Sequence, residues 1–338
     1  MIKKISVIGS GGWGCALASL LAGKGYEVML WSWLREESEK IAANRENIDF
    51  LPGVKLPETV GYTYKNEDMA GADLYVFAVP SHAVKSTAES FAGIIEAGKP
   101  IVNVAKGFEN STLSRLSEIL ENVFPNNKIV VLSGPSHAEE VGKGVPTTVV
   151  AASKDAEAAK LVQDVFMTQK FRVYTNDDVI GVELGGALKN VIALCTGIAD
   201  GLGLGDNTKA ALMTRGLAEI SRLGVKMGAN AHTFAGLSGV GDLIVTCTSM
   251  HSRNRRAGIL IGKGMSAKEA QNEVKMVVEG VYATEGAYKL ARKFDVQMPI
   301  TQAAYEILFE GRSAADAVMV LMTRDKKSES ESIGAVWS

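Results

Sequence analysis

Over the first 178 residues, apolar side chains occur in short unbroken runs. Beyond that point they recur at the spacing of one helix face. The runs at 5–8, 27–31, 74–79, 100–104, 129–132, 147–151 and 171–174 predict buried strands. Helical patterns at 13–23, 35–46, 112–122 and 155–167 fall between them. Strands alternating with helices predict an α/β domain with a doubly wound parallel sheet. From residue 179 the helical spacing continues through 179–200, 208–226, 254–262, 267–277, 281–293, 300–309 and 313–322 without a strand pattern, which predicts an all-helical second domain. The expected organisation is therefore residues 1–178, residues 179–325, and a polar tail at 326–338.

Composition sharpens this division. Seven of the eight prolines precede residue 150, as expected if loops between strands fill the first half and helices the second. Against that, 20 of the 35 glycines lie from Gly181 onward. Glycine costs a helix about 1 kcal/mol relative to alanine, so a helical half this rich in glycine needs a reason. A net charge of −2 and 46% hydrophobic residues exclude a disordered chain and give no cause to expect a polyanion-binding surface or a nucleic-acid partner. Cys15, Cys195 and Cys247 are too scattered for a disulfide scaffold and read as buried thiols. His82, His137, His232 and His251 never stand at ligand spacing, so no metal is expected. The start of the chain runs straight into a strand pattern, and no run of eighteen apolar residues occurs. No membrane partner is expected, and the cytoplasm is the expected location.

The first chemical signal is Gly9-Ser10-Gly11-Gly12-Trp13-Gly14, a G-x-G-x-x-G placed directly after a strand and before a helix. In that setting Gly9 makes the tight turn, Gly11 admits a pyrophosphate, and Gly14 lets helix and strand approach. The N–H groups at the helix start then face the phosphates. The domain is thus a Rossmann-type dinucleotide binder. The motif itself serves NAD and NADP alike. The second strand ends in Trp31-Ser32-Trp33-Leu34-Arg35, without the usual acidic residue, and Arg35 is either a receptor for a 2′-phosphate or an ordinary surface arginine.

Other strand ends carry small or polar residues: Pro80, Lys106 with Gly107, and Gly134-Pro135-Ser136-His137-Ala138. Ligands of doubly wound sheets lie beyond such ends. In the helical half, Lys189 has Gly185, Gly186, Ile192 and Ala193 as its helix-face neighbours. A lysine on such a face is costly unless it is functional, paired or able to reach water, and burial would tune it for acid–base work. Asp242 is either a helix cap or a carboxylate aimed at a lysine or a substrate hydroxyl. Ser252-Arg253-Asn254-Arg255-Arg256 opens a helix and combines the groups that bind anions there.

Taken together, these segments resemble the bacterial NAD(P)-dependent glycerol-3-phosphate dehydrogenase family, from Ile5 to about Arg324. The resemblance rests on the glycine motif, Val104-Ala105-Lys106-Gly107, Leu132 to Glu139, Gly181 to Asn190, Thr214 to Glu219, Leu237 to Leu243, His251 to Asn254 and Val277 to Gly280. It implies hydride transfer between NAD or NADP and the three-carbon substrate pair glycerol 3-phosphate and dihydroxyacetone phosphate, supplying phospholipid synthesis. It implies Lys189 as proton acceptor, with Lys106, Gly134, Ser136, Asp242, Ser252, Arg253 and Asn254 at the substrate. Around the dinucleotide it implies Gly9, Gly11, Gly12, Trp13, Gly14, Trp33, Lys106, Ala138, Arg253, Val277 and Glu279. The family often has a histidine followed by a basic residue where this chain has Trp33 and Leu34, so its usual adenosine contacts do not transfer directly. A homodimer is the expected assembly. A related reductase of unphosphorylated substrates is disfavoured by the Ser252–Asn254 cluster, and a nucleotide sensor would have no use for Lys189.

Overall fold

A computed structural model describes residues 2–326, 328 and 329. Of the 326–338 tail, only Lys326, Ser328 and Glu329 are therefore described. The chain forms two compact units, one of residues up to Ala105 plus Ser114–Val179, the other of Lys106–Leu113 plus residues from Ile180 onward. Lys106–Leu113 thus belong with the helical unit, although the sequence pattern places them inside the 1–178 span.

The first unit holds an eight-stranded sheet: β1 (Lys4–Ile8), β2 (Glu27–Trp31), β3 (Val60–Thr63), β4 (Leu74–Phe77), β5 (Ile101–Asn103), β6 (Ile129–Ser133), β7 (Thr147–Ala152) and β8 (Phe171–Asn176). Their order is β8-β7-β6-β5-β4-β1-β2-β3. All neighbours are parallel except β6 and β7, which pair antiparallel. The sheet is the doubly wound, mainly parallel one that the sequence pattern predicts, with this one antiparallel junction. Strand apolarity reports burial, not direction, so the sequence pattern could not show it.

Central strands β1 and β4 are buried almost end to end, which is why they read as continuous apolar runs. Edge strand β8 instead alternates, with Phe171 and Val173 inward and Arg172 and Tyr174 outward. Strand β3 escaped the sequence reading because it is short, lies at the other edge and contains Gly61. Helices α1 (Gly12–Gly23), α2 (Arg35–Asn44), α3 (Val84–Phe91), α4 (Leu116–Val123), α5 (Ala138–Gly142) and α6 (Ala156–Phe166) complete the unit. Two apolar clusters stabilise it. Leu17, Leu21, Val76 and Phe166 belong to one, and Trp31, Phe77, Phe91 and Leu120 to the other.

The second unit comprises α7 (Val179–Gly201), α8 (Asp206–Lys226), α9 (Asp242–Thr248), α10 (Arg253–Gly262), α11 (Ala267–Val274), α12 (Glu279–Lys293), α13 (Pro299–Phe309) and α14 (Ala314–Met322). Helix α7 is long and apolar enough to cross a membrane, yet 94% of its apolar window is buried, as befits the core helix of a bundle. The glycine excess here is largely a packing device. A Cβ on Gly197 or Gly201 would stand 2.2 or 2.3 Å from the carbonyl oxygens of Arg255 and Ile259. A Cβ on Gly258 or Gly262 would similarly meet those of Leu194 and Ile198. Helices α7 and α10 therefore cross backbone to backbone through two G-x-x-x-G pairs, and any side chain there would force them apart.

Candidate active site

In the first unit, β1 turns into α1 through the glycine motif. Gly9 has φ +116°, a conformation that other residues rarely adopt, and its N–H donates to the Trp31 carbonyl at 3.0 Å. A Cβ on Gly14 would stand 1.8 Å from the Gly9 oxygen, so Gly14 is required by the protein itself. Gly11 differs: a Cβ there would meet nothing within 4 Å. Its bareness serves no contact within the protein and leaves room for a ligand at the α1 N-terminus, where unpaired N–H groups favour phosphate. The Trp13 indole N–H is buried without a partner, a donor that an incoming group could use. These features fit a dinucleotide pyrophosphate. Gly12 lies close to Ala138, the first residue of α5. Gly134, at φ +136°, and Ser136, whose hydroxyl donates to the Gly134 carbonyl at 2.9 Å, shape the turn after β6. Trp33 stands apart from this group, exposed beyond the end of β2.

A Gly11→Ala variant is expected to keep wild-type thermal stability while losing about tenfold or more in dinucleotide affinity. Gly14→Ala is expected to lose stability itself. Thermal melts and dinucleotide titration check both; normal binding by Gly11→Ala contradicts the cradle.

The second unit contains a buried ionic cluster. Lys189, on α7, is only 6% exposed, so it is not a lysine reaching for water. Its Nζ lies 2.8 Å from Asp242 Oδ1 and donates to Thr246 Oγ1 at 2.6 Å. Lys106 Nζ takes the other carboxylate oxygen, Oδ2, at 2.6 Å. Asp242 is the first residue of α9 and does not cap it; the carboxylate faces two lysines. Thr246, one helical turn on, donates to the Asp242 carbonyl at 2.6 Å and closes the cluster.

Burial lowers the Lys189 pKa, the Asp242 charge opposes this, and the Lys106 charge reinforces it; the result is about 8. Burial alone would raise the Asp242 pKa, but the two ammonium groups more than offset it and hold the carboxyl below its ordinary range. The cluster therefore combines a carboxylate that stays ionised with a lysine able to take or give a proton near neutrality.

Beside it, Ser252 caps α10 by accepting from the Arg255 N–H at 3.2 Å, and its hydroxyl hydrogen is left to donate. Asn254 Nδ2 donates to Asn190 Oδ1 at 2.8 Å, and its Oδ1 accepts from the Gly280 N–H at 2.8 Å. One amide hydrogen of Asn254 is thus left for a ligand. The same contact places the start of α10, with Arg253, against the start of α12, where Val277 and Glu279 flank the buried Val278.

Arg255, grouped by sequence with the anion-binding run, is otherwise engaged. It clamps Asp200 at 2.8 Å and donates to the Thr248 carbonyl, tying the ends of α7 and α9 to α10. Sequence reasoning missed Thr246 and Asn190. The first stands four residues after Asp242, and the second is a buried amide in an apolar helix; both signals were present.

A separate cavity of about 900 Å³ is lined by α8, α13 and α14 and contains none of these residues. On its wall, buried Glu219 accepts from the Ile300 and Thr301 N–H groups and so caps α13. Burial outweighs those hydrogen bonds and pushes its pKa up to about 7.

Residues 4–159 match the family model for the N-terminus of NAD-dependent glycerol-3-phosphate dehydrogenase, and residues 178–319 match the model for its C-terminus. The chain belongs to the NAD-dependent glycerol-3-phosphate dehydrogenase family. A relative from Desulfitobacterium hafniense, glycerol-3-phosphate dehydrogenase [NAD(P)+], is 55% identical over 99% of this chain and 95% of its own length. One from Moorella thermoacetica with the same name is 56% identical, covering 98% and 99%. Among solved structures, glycerol-3-phosphate dehydrogenase from Coxiella burnetii matches with TM-score 0.93 and 38% identity, covering 96% of this chain and 99% of that one.

Proposed function

We propose that the chain interconverts sn-glycerol 3-phosphate and dihydroxyacetone phosphate with NAD(P), and that Lys189 moves the proton at the C2 oxygen. The observation that carries the lysine's role is its burial against Asp242 and Thr246, with a pKa brought to about 8. When bound at the glycine turn, the nicotinamide dinucleotide accepts or supplies the hydride at substrate C2. In oxidation, neutral Lys189 accepts the hydroxyl proton on Nζ. In reduction, its ammonium form returns that proton to the carbonyl oxygen.

Asp242 keeps Lys189 and Lys106 in place and balances their charge. Lys106 contributes a second positive charge beside the developing oxyanion. At the start of α10, the Ser252 hydroxyl, the Arg253 guanidinium, the free Asn254 amide hydrogen and the helix N–H groups receive the phosphate. That anchor fixes C2 for the reaction. Gly9, Gly11, Gly12, Trp13, Gly14 and Ala138 serve the dinucleotide in the first unit, with Gly134 and Ser136 beside them.

Purified protein is expected to oxidise NADH or NADPH only when dihydroxyacetone phosphate is added, and to use unphosphorylated dihydroxyacetone poorly. Absence of turnover by folded protein contradicts the reaction. Equal use of the two ketones contradicts the phosphate anchor.

A further inference from the structure

The end of β2 leaves two large apolar side chains in water: Trp33 is 70% and Leu34 57% exposed. Trp33 rests on buried Trp31, ring centroids 6.0 Å apart, so its indole is held in place but not covered. This strand end is tied directly to the glycine turn by the Gly9 N–H and the Trp31 carbonyl. In a doubly wound sheet it is where the adenosine half of a dinucleotide lies.

The charges around it are arranged against further negative charge. Arg35, the first cation after the strand, donates Nε to Glu39 at 2.6 Å and lies over the Tyr64 ring. Lys40 is paired with Asp49 at 2.5 Å. Glu36 and Glu37 occupy the first turn of α2. Partial burial and the Asp49 charge raise the Glu37 pKa, while a hydrogen bond from the Ser10 side chain, within the glycine turn itself, favours its ionised form. The nearby cations Arg35 and Lys40 are thus already matched, and a carboxylate stands beside the phosphate-binding turn.

NAD and NADP differ only in the 2′-phosphate, which carries close to two negative charges at neutral pH. We propose that this site selects NAD(H) over NADP(H), with Glu37 rejecting the 2′-phosphate and Trp33 supplying a stacking face for the adenine. The selectivity rests on the dinucleotide assignment and is independent of the lysine chemistry. Stacking serves both cofactors alike, whereas the carboxylate acts on the phosphorylated one alone.

The test is titration of the intact enzyme with NADH and with NADPH, without substrate, followed by quenching of tryptophan fluorescence. NADH is expected to bind on the order of tenfold tighter or better. Glu37→Gln should narrow the ratio. Leu34→Arg, at an exposed position, should shift the ratio toward NADPH by about tenfold through a new cation. Trp33→Ala should weaken both cofactors by similar factors and keep the ratio. Wild-type binding of NADPH as tight as NADH, or tighter, overturns the proposal. Preferential NADH binding without turnover of dihydroxyacetone phosphate would defeat the proposed reaction and leave this selectivity standing.

Discussion

Lys189→Ala is expected to lower kcat by about 10²–10⁴-fold in both directions, the range for loss of a positioned proton-transfer group. The substitution removes an amine that is both deeply buried and brought to a pKa of about 8. Lys106 also touches Asp242, but its side chain is twice as exposed as that of Lys189. Dinucleotide affinity, set by the glycine turn in the first unit, should hold. A titration of the variant with NADH checks that, and steady-state rates check the loss. A rate within tenfold of wild type would remove Lys189 from the reaction.

Asp242→Ala is expected to show the largest loss of stability. It strips the counter-ion from two ammonium groups, one of them buried. Removing one partner of a buried ion pair costs about 3–5 kcal/mol, because the surviving charge stays desolvated. Part of this is recovered as Lys189 sheds its proton, so the loss should be greater at low pH, where the lysine must carry its charge. Asp242→Asn keeps the shape and some hydrogen bonding and should fold better, while still losing turnover through displaced lysines. Denaturant unfolding at two pH values measures this. Stability of Asp242→Ala within about 0.5 kcal/mol of wild type would show that the cluster is not an electrostatic unit.

The two-part architecture was legible because the two halves bury their elements differently. Parallel strands buried on both faces read as continuous runs, and helices packed in a bundle read as a repeating face. What escaped has a physical reason in each case. Strand β3 is a short edge strand, and the reversed pairing of β6 and β7 leaves no mark on apolarity. The glycines at 197, 201, 258 and 262 looked anomalous because each pair acts on a partner some sixty residues away in the chain, which single-sequence spacing does not reveal.

For the site, Lys189 stood out as a charge on an apolar face. Asp242 was ambiguous until its two lysines were seen around it. The Arg255 misgrouping has the same origin: a basic run at a helix start looks like one anion site, but a helix turns successive side chains in different directions. Arg255 consequently reaches Asp200, away from the anion-binding start of the helix.

The central claim is that buried Lys189 carries the proton, and the pH dependence of kcat/KM in both directions tests it most directly. Oxidation of glycerol 3-phosphate requires the neutral amine, so its kcat/KM should rise with pH and level off above about 8. Reduction of dihydroxyacetone phosphate requires the ammonium form, so its kcat/KM should be high below about 8 and fall above it. Opposite limbs sharing one midpoint in the wild type, both absent from Lys189→Ala, are the predicted result. Profiles that are flat through that region, or limbs that persist in the variant, would contradict the account.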